Sequence, residues 1–263
     1  MLRVFCFVKM TMNNKEIDEI VRAQFRLDTN CSEDEEKNRI ININAAVRKN
    51  GARYFAELDP FFRAIIYHGE MYMSADRQIL DWCRQEYGLY KPEWFCKYKN
   101  LRELDSKLGA YGYMIHDTHV YCLPDMDFEG YDFEIPYETR WFDTEGIKSF
   151  KEGNPFTNAL MFIPDCPDVI AVAAYNENGD AVAMAGASSD SETMWQIGID
   201  VIPEYRQKGL AVALVSLLKE RILSMGKVPF YGTSESHSNS MDVAIRSGFM
   251  PAFTEVFCSK RVS

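Results

Sequence analysis

The sequence predicts an α/β (α+β) fold in two parts: an additional amino-terminal α/β domain over residues 1–125 and a second, regularly alternating domain over residues 126–263. Three observations lead there. Apolar residues recur with helical spacing in some stretches and with period two in others, so helices and strands interleave. An acidic segment punctuated by Pro and Gly, residues 124–136 (PDMDFEGYDFEIP), interrupts the pattern near the middle and reads as a boundary. The length of 263 residues, 47% of them hydrophobic, supplies a core for one or two domains of roughly 100–200 residues each. With 26% charged residues and no repeat at a fixed period, disorder and a solenoid are excluded. The longest apolar runs fall short of the ~18–20 residues that span a bilayer, so no transmembrane helix is expected.

In the amino-terminal part, residues 14–25 place Ile17, Ile20, Val21 and Phe25 at helical spacing, and Ser32 followed by Glu35 forms a capping box for a second helix. Residues 61–67 (FFRAIIY) and 70–73, joined by His68 and Gly69, read as a hairpin, with His68 assigned to turn chemistry. Ser74 or Asp76 then caps a helix through Ile79, Leu80 and Cys83, and Asn100 is expected to cap a shorter one ending near Gly109. Residues 113–123 return to strand. Trp82, Trp94 and Phe95 suit either core or pocket lining. His116 and His119 lie three apart in that strand and point to opposite faces, so no metal site is expected. Residues 1–10 (MLRVFCFVKM) hold an apolar centre shorter than the ~7–15 residues of a secretory signal, with no small-residue cleavage site after it. The natural start is expected at Met10 or Met12.

In the carboxyl-terminal part, residues 140–142 form a short strand and Asp143 opens a helical region. Residues 169–175 and 181–188 are strands joined by Asn176-Glu177-Asn178-Gly179-Asp180, a hairpin turn because Asn and Gly tolerate positive φ. Residues 194–201 (MWQIGIDV) set Trp195, Ile197, Ile199 and Val201 on one face and Gln196, Gly198 and Asp200 on the other, as in a half-buried strand. After Pro203 a helix runs from about Lys208 to Met225, with Leu210, Leu214, Leu217, Leu218 and Ile222 at helical spacing and Gly226 as its left-handed cap. A strand (228–233), a helix (238–247) and a final strand (249–260) complete the chain.

The formal net charge of −10 disfavours a nucleic-acid binder, which needs clustered Lys and Arg. Residues 1–125 carry 18 Lys+Arg against 19 Asp+Glu, residues 126–200 carry 3 against 15, and residues 201–263 carry 8 against 5. An acidic wall beside a basic one suits an anionic cofactor meeting a cationic substrate; a solvated acidic surface accounts for the same numbers. The seven cysteines are scattered and never two residues apart, against a disulfide framework or a thiolate zinc site. A reducing cytoplasm is the expected setting.

Between the strand ending at Val201 and the helix of Leu210 lies Pro203-Glu204-Tyr205-Arg206-Gln207-Lys208-Gly209-Leu210-Ala211. A helix amino terminus offers amides without partners and partial positive charge, which suits a phosphate. Gly209 would let a pyrophosphate approach the backbone, Arg206 and Lys208 add positive charge, and Ala211 keeps the first turn open. Neither the Walker pattern nor G-x-G-x-x-G is present, nor are G-x-S-x-G or H-E-x-x-H.

Arg206-Gln207-Lys208-Gly209-Leu210-Ala211 matches [Q/R]-x-x-G-x-[G/A], and with the flanking strand and helix it resembles the pyrophosphate loop of the GNAT superfamily of acyl-CoA-dependent N-acetyltransferases. The run from His237 to Gly248-Phe249 is similar to the family's N-x-x-[S/A]-x-x-x-[A/L]-x-x-x-G-F segment, with His237 where Asn is usual. The resemblance covers residues 137–263, and two-domain relatives similar to the zwittermicin-type antibiotic resistance acetyltransferases carry an amino-terminal half of comparable size. It implies a mixed twisted sheet flanked by helices, acetyl-CoA (CoA) as cofactor, backbone pairing of Ile199 and Val201 with the pantetheine arm, amides of Arg206, Gln207, Lys208, Gly209, Leu210 and Ala211 on the pyrophosphate, and His237 and Ser240 facing the cofactor.

Acetyl transfer to an amine needs a base, a polarised thioester carbonyl and a proton for the departing thiolate. By resemblance the Ile199 amide polarises the carbonyl. Many relatives carry a Tyr acid where this chain has Ala244 and a Glu where it has Trp195, so Tyr231, His237 or water is left as acid. Glu235 and Glu192 are the favoured bases, with Asp190, Asp200 or a water chain as alternatives. The expected activity is acetyl transfer from acetyl-CoA to a primary amine of a small, cationic molecule by direct attack in a ternary complex, with the amino-terminal half walling the acceptor site. Nucleic acid and membrane are not expected partners, and a homodimer is left open. The alternative is a non-catalytic acyl-CoA-binding regulator or sensor.

Overall fold

A computed structural model describes residues 12–53, 61–129 and 135–261. The expectations for residues 1–10, and the middle of the 124–136 boundary segment, lie outside them. Ile17, Val21 and Phe25 form the buried stripe of α1 (Asn14–Asp28). Ser32 Oγ accepts from the Glu35 amide while the Glu35 carboxylate accepts from the Ser32 amide, opening α2 (Glu33–Asn38). After β1 (Ile41–Ala45), the hairpin of β2 (Phe62–Tyr67) and β3 (Glu70–Ala75) turns through His68 and Gly69, at φ 47° and 77°. Two positive φ angles in a two-residue turn match the right-handed twist of the flanking strands. Asp76, rather than Ser74, caps α3 (Arg77–Tyr87) by accepting from the Gln78 amide.

Helix α4 (Tyr98–Gly109) begins ahead of Asn100, which therefore does not cap it. Asn100 is buried in the first turn and donates to the carbonyls of Trp94 and Phe95, so it secures the turn before the helix. Phe95 is core whereas Trp94 is exposed. Strand β4 (Tyr113–Pro124) follows.

Asp143 ends β5 (Glu138–Asp143) and caps α5 (Thr144–Ile147) by accepting from the Gly146 amide. Strands β6 (Asp168–Tyr175) and β7 (Ala181–Ser188) meet at a turn in which Asn176 Oδ1 accepts from the amides of Asn178 and Asp180. Beyond β8 (Met194–Val201), helix α6 (Leu210–Ser224) starts later than the spacing suggested, because Gly209 adopts the left-handed conformation (φ 77°) and sets the first turn. Gly226 (φ 72°) closes it. Strand β9 (Val228–Thr233), helix α7 (Ser238–Arg246) and strand β10 (Phe249–Lys260) complete the fold.

The chain forms two compact units. The first comprises Val21–Tyr121 and the described residues from Pro251 onward; its strands lie in the order β1-β3-β2-β10-β4. The second comprises Cys122–Met250 and the described residues up to Ile20, with strands in the order β9-β8-β7-β6-β5. A single cut at residue 125 does not describe these units, because β10 ladders antiparallel onto β2 from Phe253↔Tyr67 to Phe257↔Arg63 and carries the carboxyl end into the first unit. Each unit is mixed α/β: β1 runs parallel to β3 and β8 parallel to β9, while the β2–β3, β2–β10, β5–β6, β6–β7 and β7–β8 pairs are antiparallel. No helix among the described residues is long and apolar enough to cross a membrane.

The first unit packs Ile79, Cys83, Leu104 and Leu108 of its helices against Ile43, Met73, Val256 and Cys258 of its sheet. Beside this core lie four buried charges: Asp28, Arg53, Arg63 and Glu255. Arg53 donates from its amide (2.7 Å) and from Nε (2.6 Å) to Asp28, and Arg63 pairs with Glu255. The Arg53 guanidinium also lies over the rings of Phe25 and Phe253. In the second unit, Leu210, Leu214, Leu218 and Ile222 of α6 pack on Val172, Ala183, Ala185, Trp195 and Ile197.

Candidate active site

The predicted phosphate loop and the strand before it lie in the second unit and meet at the carboxyl end of β8. Strand β8 ladders onto β7 from Ser188↔Gln196 to Ala183↔Val201, up to its carboxyl end. On its other side it pairs with β9 only from Met194↔Val228 to Ile197↔Tyr231. Beyond Ile197 the two parallel strands therefore part. Successive residues of a strand direct their backbone groups to alternate sides. The Ile202 amide donates to the Val182 carbonyl on the β7 side, and the Thr193 carbonyl accepts from Val228 on the β9 side. Ile199 and Val201 consequently present their amide and carbonyl groups to the fork. The Val201 carbonyl accepts from Arg206 Nε at 3.0 Å, which folds that side chain back over the strand end.

The loop next to the fork is exposed and sharply turned. Gln207 has φ 60° and Gly209 φ 77°, two left-handed residues within three positions. Among the described residues the amides of Gln207 through Val212 donate to no backbone carbonyl; the first bond of the helix runs from the Ala213 amide to the Gly209 carbonyl. Leu210 is buried and anchors the turn, Ala211 is half-buried, and the Lys208 ammonium sits 4.9 Å from the centre of the Tyr205 ring. These free amides, at the positive end of a helix whose first-turn side chains are small or apolar, form an anion cradle.

Across the fork, Tyr231 is the last residue of β9 to pair with β8. Its hydroxyl lies 2.8 Å from Ser240 Oγ on α7, so Ser240 is committed to that bond. Burial pushes the Tyr231 phenol above its usual pKa, the Ser240 bond offsetting part of the rise, and it stays protonated at neutral pH. His237 is exposed at the start of α7 and makes no side-chain capping bond. Glu235 is exposed in the turn just past β9, at the same end of the sheet as the fork.

The other candidate carboxylates are placed differently. Glu192 is exposed in the bend before β8, at the end where β8 and β9 are paired. Five strand steps, from Met194 to Ile199, separate that bend from the fork, about 17 Å at ~3.3 Å per residue, so the fold does not bring Glu192 to it. Asp190 is buried and accepts from Ser188 Oγ at 2.7 Å. Asp200 accepts from the Asn158 amide (2.7 Å), Asn158 Nδ2 (2.6 Å) and the Ala159 amide (2.9 Å), so it serves as a clamp rather than a base. Trp195 is buried in the α6 core opposite Pro229.

Sequence reasoning missed the segment that Asp200 clamps. Residues 154–160 cross the sheet on the face opposite α6, passing over Gly186 and Gly198. A Cβ on Gly198 would lie 1.8 Å from the Asn158 carbonyl oxygen, and one on Gly186 would lie 2.1 Å from that of Ala159. Asn154 braces the turn by accepting from the Phe156 amide and donating to the Leu160 carbonyl. The signal was present: glycines inside strands mark close approach of another backbone.

In the first unit, His116 Nδ1 lies 3.2 Å from Ser259 Oγ and His119 pairs with Asp117, so the two histidines have separate partners. Among the described residues no group of His, Cys, Asp and Glu could hold a metal ion.

Comparison with known proteins bears on the second unit. Residues 132–249 match the acetyltransferase (GNAT) family. Among curated proteins none matches the chain. Similar solved structures include a GCN5-related N-acetyltransferase-like protein from Streptococcus suis (15% identity, 93% of this chain and 100% of that one, TM-score 0.48). An acetyltransferase of the GNAT family from Colwellia psychrerythraea has 10% identity, with 95% and 98% covered and a TM-score of 0.44. A GCN5-related N-acetyltransferase from Kribbella flavida has 16% identity and a TM-score of 0.44; the match covers 61% of this chain and 64% of that protein's length. The span from residue 132 to residue 249, under half of the chain, holds the forked strands, the glycine-led helix and the turn clamped by Asp200, and over that span the sequence is similar to the acetyltransferase (GNAT) family.

Proposed function

We propose that the chain is an acetyl-CoA-dependent N-acetyltransferase that transfers acetyl to a primary amine of a small, cationic molecule by direct attack in a ternary complex. The observation that carries this reading is the fork beyond Ile197 and Tyr231, which opens beside the unpartnered amides of Gln207 through Val212. An open strand edge next to an anion cradle fits an extended amide-bearing arm ending in a pyrophosphate, so the residues present suit acetyl-CoA. The cofactor supplies the activated acetyl group. The Ile199 amide faces the fork and is placed to donate to the thioester oxygen, where negative charge develops as the amine attacks. The C–N bond forms, the C–S bond breaks, the amine gives up a proton and the thiolate takes one. Tyr231, held neutral by burial, is a proton source at the fork, and Glu235 is the carboxylate kept as base. His237 and Ser240 would face the cofactor from the start of α7.

The excess of 15 acidic over 3 basic residues in 126–200 supports a cationic acceptor. A cytoplasmic setting, a small-molecule partner without nucleic acid or membrane, and kinship with the zwittermicin-type resistance enzymes belong to the same proposal.

Two predictions test it. Titration calorimetry with acetyl-CoA and CoA should show binding by the wild type and none by Gly209→Glu, which sets a carboxylate in the cradle. Gly209→Ala meets open space but carries the same left-handed φ, and it should retain most of the affinity, separating charge repulsion from backbone strain. In steady-state release of CoA across a panel of primary amines, Glu235→Gln should lower kcat/KM by about 10²-fold, the range of a lost general base, while Glu192→Gln should leave it unchanged. Binding without release of CoA for any amine would instead identify a non-catalytic acyl-CoA-binding regulator, a reading favoured by Ala244 and Trp195 at positions where many relatives carry Tyr and Glu.

A further inference from the structure

We infer that Asn158, oriented by Asp200, is the residue that recognises the acceptor's ammonium group; this rests on the acetyltransferase reading above. Strand β8 sends Trp195, Ile197, Ile199 and Val201 toward α6, so Gln196, Gly198 and Asp200 face the other way. On that face the chain returns over the strand at one point. The Asn158 carbonyl occupies the space of the missing Gly198 side chain, which puts Asn158 directly over the residue before Ile199. Any acceptor that approaches the fork from this face passes Asn158.

The clamp determines what Asn158 presents. Its Nδ2 donates to Asp200 Oδ1 at 2.6 Å and its backbone amide to Asp200 Oδ2 at 2.7 Å, so both the side chain and the backbone of Asn158 are tied to one carboxylate. With the NH2 group turned to Asp200, Oδ1 points away from it, and Asn158 is exposed. An amide whose N–H donates to a carboxylate is polarised, and its oxygen becomes a stronger acceptor. Among the described residues the three donors to Asp200 are neutral, so none of them cancels its negative charge, which favours a positive group nearby. An ammonium brings three N–H donors to such an oxygen, and an amide cannot take its proton. Asn158 therefore selects and orients the amine and leaves deprotonation to another group. The arrangement predicts acceptors with an ammonium unaccompanied by a neighbouring carboxylate: aliphatic amines and polyamines, not α-amino acids.

The test uses the full chain with acetyl-CoA and three probes: spermidine, butylamine and glycine. Asn158→Ala should raise KM for spermidine and butylamine by about tenfold, the size expected for losing a hydrogen bond to a charged group. KM and Kd for acetyl-CoA should stay at wild-type values. Asp200→Asn should shift the amine KM in the same direction. Equal amine KM in wild type and Asn158→Ala overturns the assignment, as does a parallel loss of acetyl-CoA affinity, which would make Asn158 a structural brace. Direct titration of spermidine into the CoA complex separates this inference from the acetyltransferase reading. Binding lost in Asn158→Ala supports the subsite even where no acetyl is transferred, whereas spermidine binding unchanged by the substitution, or absent in the wild type, overturns it. Failure of CoA release with every amine counts against the reaction alone.

Discussion

Asp28→Asn is expected to remove about 3–5 kcal/mol from the stability of the first unit, the usual result of leaving a buried charge without its partner. Asp28 and Glu255 are enclosed with Arg53 and Arg63, two negative charges against two positive. Burial alone would raise the Asp28 pKa, but the two guanidiniums and the bonds from Gln24 Nε2 and the Arg53 amide outweigh it, holding the carboxyl below its ordinary value of 3.8. Because the folded pKa is the lower one, the pair's contribution is complete above the unfolded pKa and is lost as pH falls through 3.8 and below. Urea unfolding at pH 7 and at about pH 3.5 should show the wild type losing stability between the two values and Asp28→Asn losing less. Replacing all four charges together by apolar residues of similar volume should cost far less than Asp28→Asn, since no charge is then stranded. A single substitution as mild as the fourfold one would refute this account of the cluster.

Gly198→Ala should combine a loss of stability of about 1–3 kcal/mol, as for overpacking elsewhere, with a rise in the amine KM. The residue is not at positive φ, so backbone strain plays no part. The new methyl would meet the Asn158 carbonyl oxygen at 1.8 Å, and the turn must lift from the strand or the strand must bend. Either response loosens the three bonds to Asp200. Thermal melting and amine kinetics read the two effects separately. Gly179→Ala is the opposite case, backbone strain without contact, because φ there is 83° and a Cβ meets nothing within 4 Å. An unchanged amine KM in Gly198→Ala, with acetyl-CoA binding intact, would show that the crossing turn does not shape the acceptor side.

Much of this was legible from short-range patterns. The capping box at Ser32 and Glu35, the His68-Gly69 turn, the Asn176 turn, the cap at Gly226 and the period-two strand 194–201 all follow from interactions a few residues apart. The loop around Gly209 was legible for the same reason: a glycine before an apolar run, after a strand, leaves a helix start with unpartnered amides. Asn100 misled because a capping residue and a buried bracing residue share the same local preference for backbone carbonyls and amides, and only packing chooses between them.

Candidate carboxylates were the least legible. Glu192, Asp190, Asp200 and Glu235 are equivalent as letters near a strand or turn, yet one stands at the paired end of β8, one is buried against Ser188, one clamps Asn158 and one lies past β9 at the end of the sheet where the strands part. Ladder length separates them, and a ladder is a property of two segments more than thirty residues apart. The cluster of Asp28, Arg53, Arg63 and Glu255 spans an even wider separation, and nothing in the neighbourhood of any one of them announces the other three. Local sequence thus determined the helices, the turns, every strand except β1 and the position of the glycine-led loop before α6, because steric limits on φ and the periodicity of apolar burial act within a few residues. Where β8 parts from β9, which strand the carboxyl end joins, which charges are buried and which backbone crosses Gly198 were decided by tertiary structure, because those outcomes depend on contacts between residues that meet only when the chain is folded.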